Sequence, residues 1–193
     1  KLIYTSNVKP TFPLYADVAI HDVNGEFNNV EWISEPVVGA DAGDEVEFES
    51  LNGVSQPSKG VIKRTRSGRS WNSGAVSKRA ITKVGDDVRG IQVDCSTTKA
   101  HMMIGLNQES TTNSYTDLDF AIYCDVGNGR IYENGSNKKS FGKYKDGETF
   151  QVYVNDAGKV EYYQDGKLLY TSSKTPKFPL FADLSIHNAP GEL

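Results

Sequence analysis

Lys159-Val160-Glu161-Tyr162-Tyr163-Gln164-Asp165-Gly166-Lys167-Leu168-Leu169-Tyr170 is the stretch that decides how this chain folds. Lys159 and Glu161 alternate with Val160 and Tyr162, the period of two that an extended strand produces and a helix does not. Asp165-Gly166 follows, a dipeptide able to take positive φ at both positions of a tight reversal. The segment therefore predicts a β-hairpin. Asn52-Gly53 and Asn134-Gly135 repeat the same turn chemistry elsewhere. Between such turns lie short runs that read as strands: 45–50, 54–56, 60–63, 74–77, 89–95, 101–106, 117–124, 130–133, 138–143, 149–155, 159–164, 167–172 and 180–187. Helical periodicity is absent. So many short strands in one chain of 193 residues predict a single two-sheet antiparallel sandwich, aligned or jelly-roll.

The second strand of the hairpin also opens a duplicated segment. Lys1 to Phe27 aligns without gaps on Lys167 to Leu193 at an offset of 166, with 15 of 27 positions identical. Tyr4/Tyr170, Pro10/Pro176, Phe12/Phe178, Asp17/Asp183, His21/His187 and Gly25/Gly191 are among the identities. A sandwich has room for one copy of a strand pair, because each copy needs the same hydrogen-bonding neighbours. The expected division is thus residues 1–36 as terminal strands of a preceding repeat or an exchanged arm, and 37–193 as the domain. The boundary is placed at the Gly/Ala/Asp-rich connector 37–44. That domain would lack its last strand, the equivalent of Asn28-Asn29-Val30-Glu31-Trp32-Ile33, and receive it from the following unit. Phe12, Leu14, Tyr15, Ile20 and Trp32 are the expected assembly residues, and neighbouring copies in a head-to-tail array, or a filament, are the expected partners.

Composition narrows the remaining classes. A formal charge of -4 with a pI near 5.4 argues against a nucleic-acid partner, whose phosphates need a basic stripe. The one basic cluster, Lys59 to Arg69, carries no interleaved aromatics and reads as a solvated loop and strand edge. No apolar run is long enough to span a bilayer as a helix, so no membrane insertion is expected. Cys95 and Cys124 both fall on the core-facing register of their strands, which leaves two states open: buried free thiols, or one internal disulfide. Asn134-Gly135-Ser136 is a glycosylation sequon that also reads as a plain turn.

Trp71-Asn72-Ser73-Gly74-Ala75-Val76-Ser77, Ile104-Gly105-Leu106, Ser114 to Tyr123 (SYTDLDFAIY), Ile131-Tyr132-Glu133-Asn134-Gly135, Gly142-Lys143-Tyr144 with Phe150, and Val160 to Ser172 with Phe178-Pro179-Leu180 together carry a likeness. The chain from about Val46 to His187 resembles the concanavalin A-like lectin/glucanase superfamily. Within it the pattern is similar to repeat modules of extracellular adhesins and slime-mould haemagglutinins, distant relatives of SPRY domains. The resemblance implies an all-β, antiparallel two-sheet jelly-roll sandwich. It further implies an extracellular or cell-surface setting, in which such modules frequently bind glycans.

Fold alone assigns no activity, so the candidate chemistry has to come from side chains. Glucanases of this superfamily carry a Glu-x-Asp-x-x-Glu pattern on one strand. Here Asp117-Leu118-Asp119 lacks the third acid, and Glu45, Glu47 and Glu49 read as a solvent stripe on an edge strand. No enzyme is expected. His21 and His187 are one repeat position seen twice, so with His101 they make no metal triad within a unit, and no metal is expected. Calcium is the one cofactor considered, at Asp41, Asp44, Asp86 or Asp87, without an EF-hand spacing to support it. A sugar site needs a flat aromatic face with amides and carboxylates beside it. Trp71, Asn72, Asn107, Asn113, Tyr115, Asp117 and Asp119 supply those groups and are the expected ligand-binding residues, with carbohydrate or glycoprotein as partner. The competing reading makes Trp71 a core-capping ring, Tyr115 a strand-start residue, and both aspartates acceptors for nearby backbone. The two functions that follow are a glycan-binding adhesion repeat and a structural filament protomer held by strand exchange.

Overall fold

The computed structural model describes residues 26–36, 43–109 and 112–188. Their strands, in chain order, are β1 (Glu26–Ile33), β2 (Phe48–Asn52), β3 (Val54–Ser58), β4 (Val61–Arg64), β5 (Gly74–Ile81), β6 (Gly90–Cys95), β7 (His101–Asn107), β8 (Phe120–Asp125), β9 (Asn128–Glu133), β10 (Ser136–Lys143), β11 (Glu148–Val154), β12 (Val160–Gln164), β13 (Lys167–Thr171) and β14 (Leu180–Ile186). Sheet A runs β13-β12-β11-β6-β1-β4-β3, and sheet B runs β10-β9-β8-β7-β14-β5-β2. This is the antiparallel two-sheet jelly-roll sandwich that the strand spacing and the resemblance predicted. The deciding hairpin forms as read: Tyr162 pairs with Tyr170, and Asp165 and Gly166 take φ of 48° and 73°.

Alternation explains the core. In β7, Met102, Ile104 and Leu106 point inward, as do Phe120, Ile122 and Cys124 in β8 and Leu180, Ala182, Leu184 and Ile186 in β14. They meet Phe27, Trp32, Ile91, Val93, Phe150, Val152 and Tyr162 of sheet A. Removing this apolar surface from water is the main force holding the sheets together. Cys95 of β6 and Cys124 of β8 face each other across the core and are joined as a disulfide, with Cα atoms 6.8 Å apart. Of the two thiol states left open by the sequence, the bridged one is present. At the β2 edge, Glu47 and Glu49 are exposed while Val46 and Phe48 are buried, as the charged stripe predicted.

The expected domain division is corrected. Glu26–Ile33 is not part of a preceding unit; it is β1, held between β4 and β6 in the middle of sheet A. Trp32, expected among the assembly residues, is 4 % exposed and packs in the core between the two sheets. Among the described residues, the place assigned to a strand from the following unit is filled by this segment. A periodic sequence fixes the length of its unit but not its phase, which is why the boundary could be misplaced. Phe12, Leu14, Tyr15 and Ile20 lie outside the described residues, as does most of the 37–44 connector.

The register also shows which strand ends gather. Glu26 at the start of β1 pairs with Lys63 near the end of β4, Ser185 of β14 with Gly74 at the start of β5, and His101 at the start of β7 with Asp125 at the end of β8. These ends share one end of the sandwich, and the candidate site is built beside it.

Candidate functional site

The same alternation that fills the core sends a second set of side chains outward from sheet B. They are His101 and Met103 from β7, Ala121, Tyr123 and Asp125 from β8, Arg130 and Tyr132 from β9, and Asp183 and Ser185 from β14. Two loops fold over this face. One, residues 65–73, carries Trp71. The other, residues 112–119, carries Asn113 and Tyr115 and is pinned by the Ser185 hydroxyl, which donates to the Asn113 carbonyl at 2.6 Å.

Arg64 shapes the first loop. Its side chain is 2 % exposed, and its guanidinium donates to the carbonyls of Arg66 (2.8 Å), Gly68 (2.9 Å) and Ile186 (2.6 Å) and to Ser73 Oγ (2.6 Å). A planar fork with five N–H donors can organise a loop in this way where an ammonium cannot. The reading of Lys59–Arg69 as a wholly solvated cluster is therefore corrected at Arg64, whose burial is compensated by backbone acceptors. Arg66 adds a bond from Nη1 to the Asn72 carbonyl at 2.7 Å.

The loops bring rings together. Trp71 lies 5.0 Å from Tyr115, 5.7 Å from Tyr123 and 5.2 Å from His187, measured between centroids. Tyr132 closes the group at 5.3 Å from Tyr123 and 6.3 Å from Tyr115, and His101 stands 5.3 Å from His187. Tilted and edge-on contacts at these separations suit the ring quadrupoles. All six rings are half-buried, and Trp71, Tyr115, Tyr123 and Tyr132 rest on the buried Met103, Ala121 and Leu118.

A polar rim adjoins them. Asp125 accepts from Arg130 Nη2 at 2.7 Å and lies 2.8 Å from His101 Nδ1, and the Tyr123 hydroxyl lies 2.9 Å from the same His101 nitrogen. Burial first, and the Asp125 carboxylate second, hold the Tyr123 hydroxyl well above its ordinary pKa, so it stays a neutral donor. Burial also lowers the His187 pKa, and His101 beside it adds to the effect. The face thus offers stacked rings, a phenol, a guanidinium and a carboxylate within a few ångströms of one another.

Of the residues expected from the sequence, Trp71 and Tyr115 converge here, with Asn113 in the loop that covers the face. The others support it from behind. Asn107 is buried, donating to Asp183 at 2.8 Å and to the Glu109 carbonyl at 3.1 Å. Asp119 accepts from the Gln108 backbone at 3.0 Å and from the Asn134 amide, and Asp117 accepts from the Thr112 backbone at 2.6 Å. Asn72 Oδ1 turns toward Arg64 Nη2 at 3.4 Å. His101, Tyr123, Asp125, Arg130 and Tyr132 were not singled out, although each is the outward partner of a residue whose inward neighbour marked the core.

Other clusters are committed to structure. Asp86 accepts from the Thr82 backbone (2.8 Å), the Thr82 hydroxyl (2.6 Å) and the Asp87 backbone (3.0 Å), which holds its carboxyl down at about 2. Asp44 and Asp87 flank Arg79 at 3.5 and 3.7 Å, and Asp41 lies outside the described residues. Among the described residues no three His, Cys, Asp or Glu side chains group as a metal site would require. An open groove at the far end, lined by Trp32, Asp44, Glu47, Lys59, Lys78 and Arg79, is walled by charges that pair with one another.

No family model matches this sequence, and no curated protein does either. Solved structures do match. The PSpry domain of TRIM65 superposes at a TM-score of 0.55 with 12 % identity, over 75 % of this chain and 88 % of that one. A human SPRY domain superposes at 0.51 with 14 % identity, over 75 % and 89 %. The chain has the SPRY-type, concanavalin A-like fold. A carbohydrate-binding module from Bacillus subtilis aligns more loosely, at a TM-score of 0.42 and 11 % identity over 75 % of this chain and 94 % of that one. On this SPRY-type sandwich the aromatic group occupies the outer face of sheet B, beside the start of β1 and the end of β14.

Proposed function

We propose that the chain is a non-enzymatic carbohydrate-recognition repeat of an extracellular or cell-surface adhesion protein, taking sugar on the outer face of sheet B. One observation carries the reading: Trp71, Tyr115, Tyr123 and Tyr132 gather on an open face with Arg130, Asp125 and His101 at its rim. A pyranose has an apolar side that stacks on a ring and a girdle of hydroxyls that seek charged and amide partners, and this face offers both. The disulfide between Cys95 and Cys124 supports an oxidising compartment. The Asn134 sequon sits at an exposed turn, as a glycan acceptor would, although its amide is engaged with Asp119. Support for the absence of catalysis comes from the carboxylates: Asp125 is held by Arg130 and His101, and Asp117 and Asp119 serve backbone, whereas glycoside hydrolysis uses a pair flanking the scissile bond.

Glycan-array binding by the full chain tests the proposal. Trp71→Ala and Tyr132→Ala should each weaken binding by roughly two- to tenfold, since a ring contact contributes about 0.5–1.5 kcal/mol. Lys138→Ala on the exposed β10 edge should leave it unchanged. An array on which the folded chain binds no sugar, or binding indifferent to both ring substitutions, would overturn it. A second reading, in which the repeat serves assembly alone, is favoured by the duplicated segment; a blank array together with a native polypeptide of several periods would select it.

A further inference from the structure

The start of β1 and the end of β14 lie at the same end of the sandwich. Glu26, first residue of β1, is the register partner of Lys63. The next residue, Arg64, places Nη1 2.6 Å from the carbonyl oxygen of Ile186, last residue of β14. One cross-strand step, one backbone step and the length of one arginine side chain separate Glu26 from Ile186, on the order of 20 Å at most.

The duplicated segment supplies a second distance. Leu14, Ala16, Val18 and Ile20 stand where β14 has Leu180, Ala182, Leu184 and Ile186, whose side chains are all buried in the core. Residues 14–20 therefore repeat in sequence the inward-facing positions of β14. In this domain that place, between β7 and β5, is taken by β14 itself. Only His21 to Gly25 lie between Ile20 and Glu26. Six consecutive Cα steps extend to about 20 Å.

Resting on the repeat-array reading, we infer that residues 1–25 close a preceding unit, and that successive units meet at their site-bearing ends with neighbouring aromatic faces about 40 Å apart or less. His21 is the counterpart of His187, which stacks on Trp71, so each site lies within a few residues of the next unit's β1. A string of domains joined head to far end is excluded by this geometry, because both connections leave from one end. The units instead splay outward from a common line of linkers. Their sites form bivalent pairs suited to an extended or clustered carbohydrate, gripped at two points with the gain in avidity that a short link confers.

The test uses the full chain extended by one period, residues 1–193 followed by a second copy of 28–193. Spin labels on Ser67→Cys in both units report the site-bearing ends, because the 65–73 loop joins β4 to β5 there. Labels on Val84→Cys report the far ends, in the loop joining β5 to β6. Pulsed dipolar spectroscopy should give a Ser67 pair below roughly 50 Å and a distinctly longer Val84 pair. A Val84 pair as close as the Ser67 pair, or closer, overturns the inference. Ten Gly/Ser residues inserted after Gly191 of the first copy should lengthen and broaden the Ser67 distance; no change there overturns the claim that the linker sets the spacing. Intact mass of the native polypeptide separates the two levels: a single period overturns the array reading itself, whereas failed distances in a protein of several periods overturn only the arrangement.

Discussion

Reducing the Cys95–Cys124 bridge should lower stability by an amount set by the loop it closes. The two residues are 29 apart in sequence and tie the middle of sheet A to the middle of sheet B. Loop-closure entropy for that separation gives about 3.6 kcal/mol at 25 °C. For a domain of this size each kcal/mol moves the melting temperature by about 2–4 °C, so the reduced protein should melt roughly 7–14 °C lower. Both sulfur-bearing side chains are fully buried, and reduced thiols pack as small hydrophobes, so reduction should leave the native fold intact and act through the unfolded chain. Thermal melts followed by circular dichroism, with and without a phosphine reductant, measure the shift, and intact mass after alkylation verifies that both thiols were freed. Cys95→Ala/Cys124→Ala should show a similar or larger loss, since it also removes buried volume. Equal melting temperatures for the verified oxidised and reduced chains would refute the reasoning, as would full alkylation of both cysteines in the denatured, unreduced protein.

Three further outcomes follow from named contacts. Arg64→Lys should cost about 3 kcal/mol in urea unfolding, because an ammonium cannot serve the Arg66, Gly68, Ile186 and Ser73 acceptors together, and Trp71 emission should shift as its loop loosens; an unchanged midpoint and spectrum would contradict this. Burial lowers the His187 pKa in the folded state, so the unfolded chain binds the proton more readily, and stability should be complete above about 6.5 and decline as pH falls through that value toward the lowered one. His187→Gln should flatten that part of the urea-midpoint profile between pH 7.5 and 5.5, and parallel profiles for the two proteins would sink the assignment. Gly105→Ala should unfold or severely destabilise the domain, since a Cβ there would meet the Phe120 carbonyl oxygen at 1.8 Å across the β7–β8 pairing; a soluble variant with wild-type melting would disprove it.

The sequence by itself determined the strands and their facing. Period-two alternation and the Asp165-Gly166 and Asn134-Gly135 turns are local physics: a strand must send successive side chains to opposite faces, and only certain residues accept the backbone of a tight reversal. All thirteen stretches read as strands coincide with strands of the sandwich, with ends displaced by a few residues. The offset of 166 likewise fixed the length of the repeating unit. Tertiary structure decided its phase, because whether Asn28–Ile33 closes one unit or opens the next depends on which β4 and β6 it can reach, and nothing local records that. The candidate site followed the same rule. Trp71 and Tyr115 were legible as polar-loop aromatics, but that they meet Tyr123, Tyr132 and His187 depends on Arg64 folding one loop over sheet B and Ser185 pinning the other. Asp117 and Asp119 looked equally available as ligands until the fold set backbone donors against them, since a carboxylate's role depends on which donors surround it in space rather than along the chain.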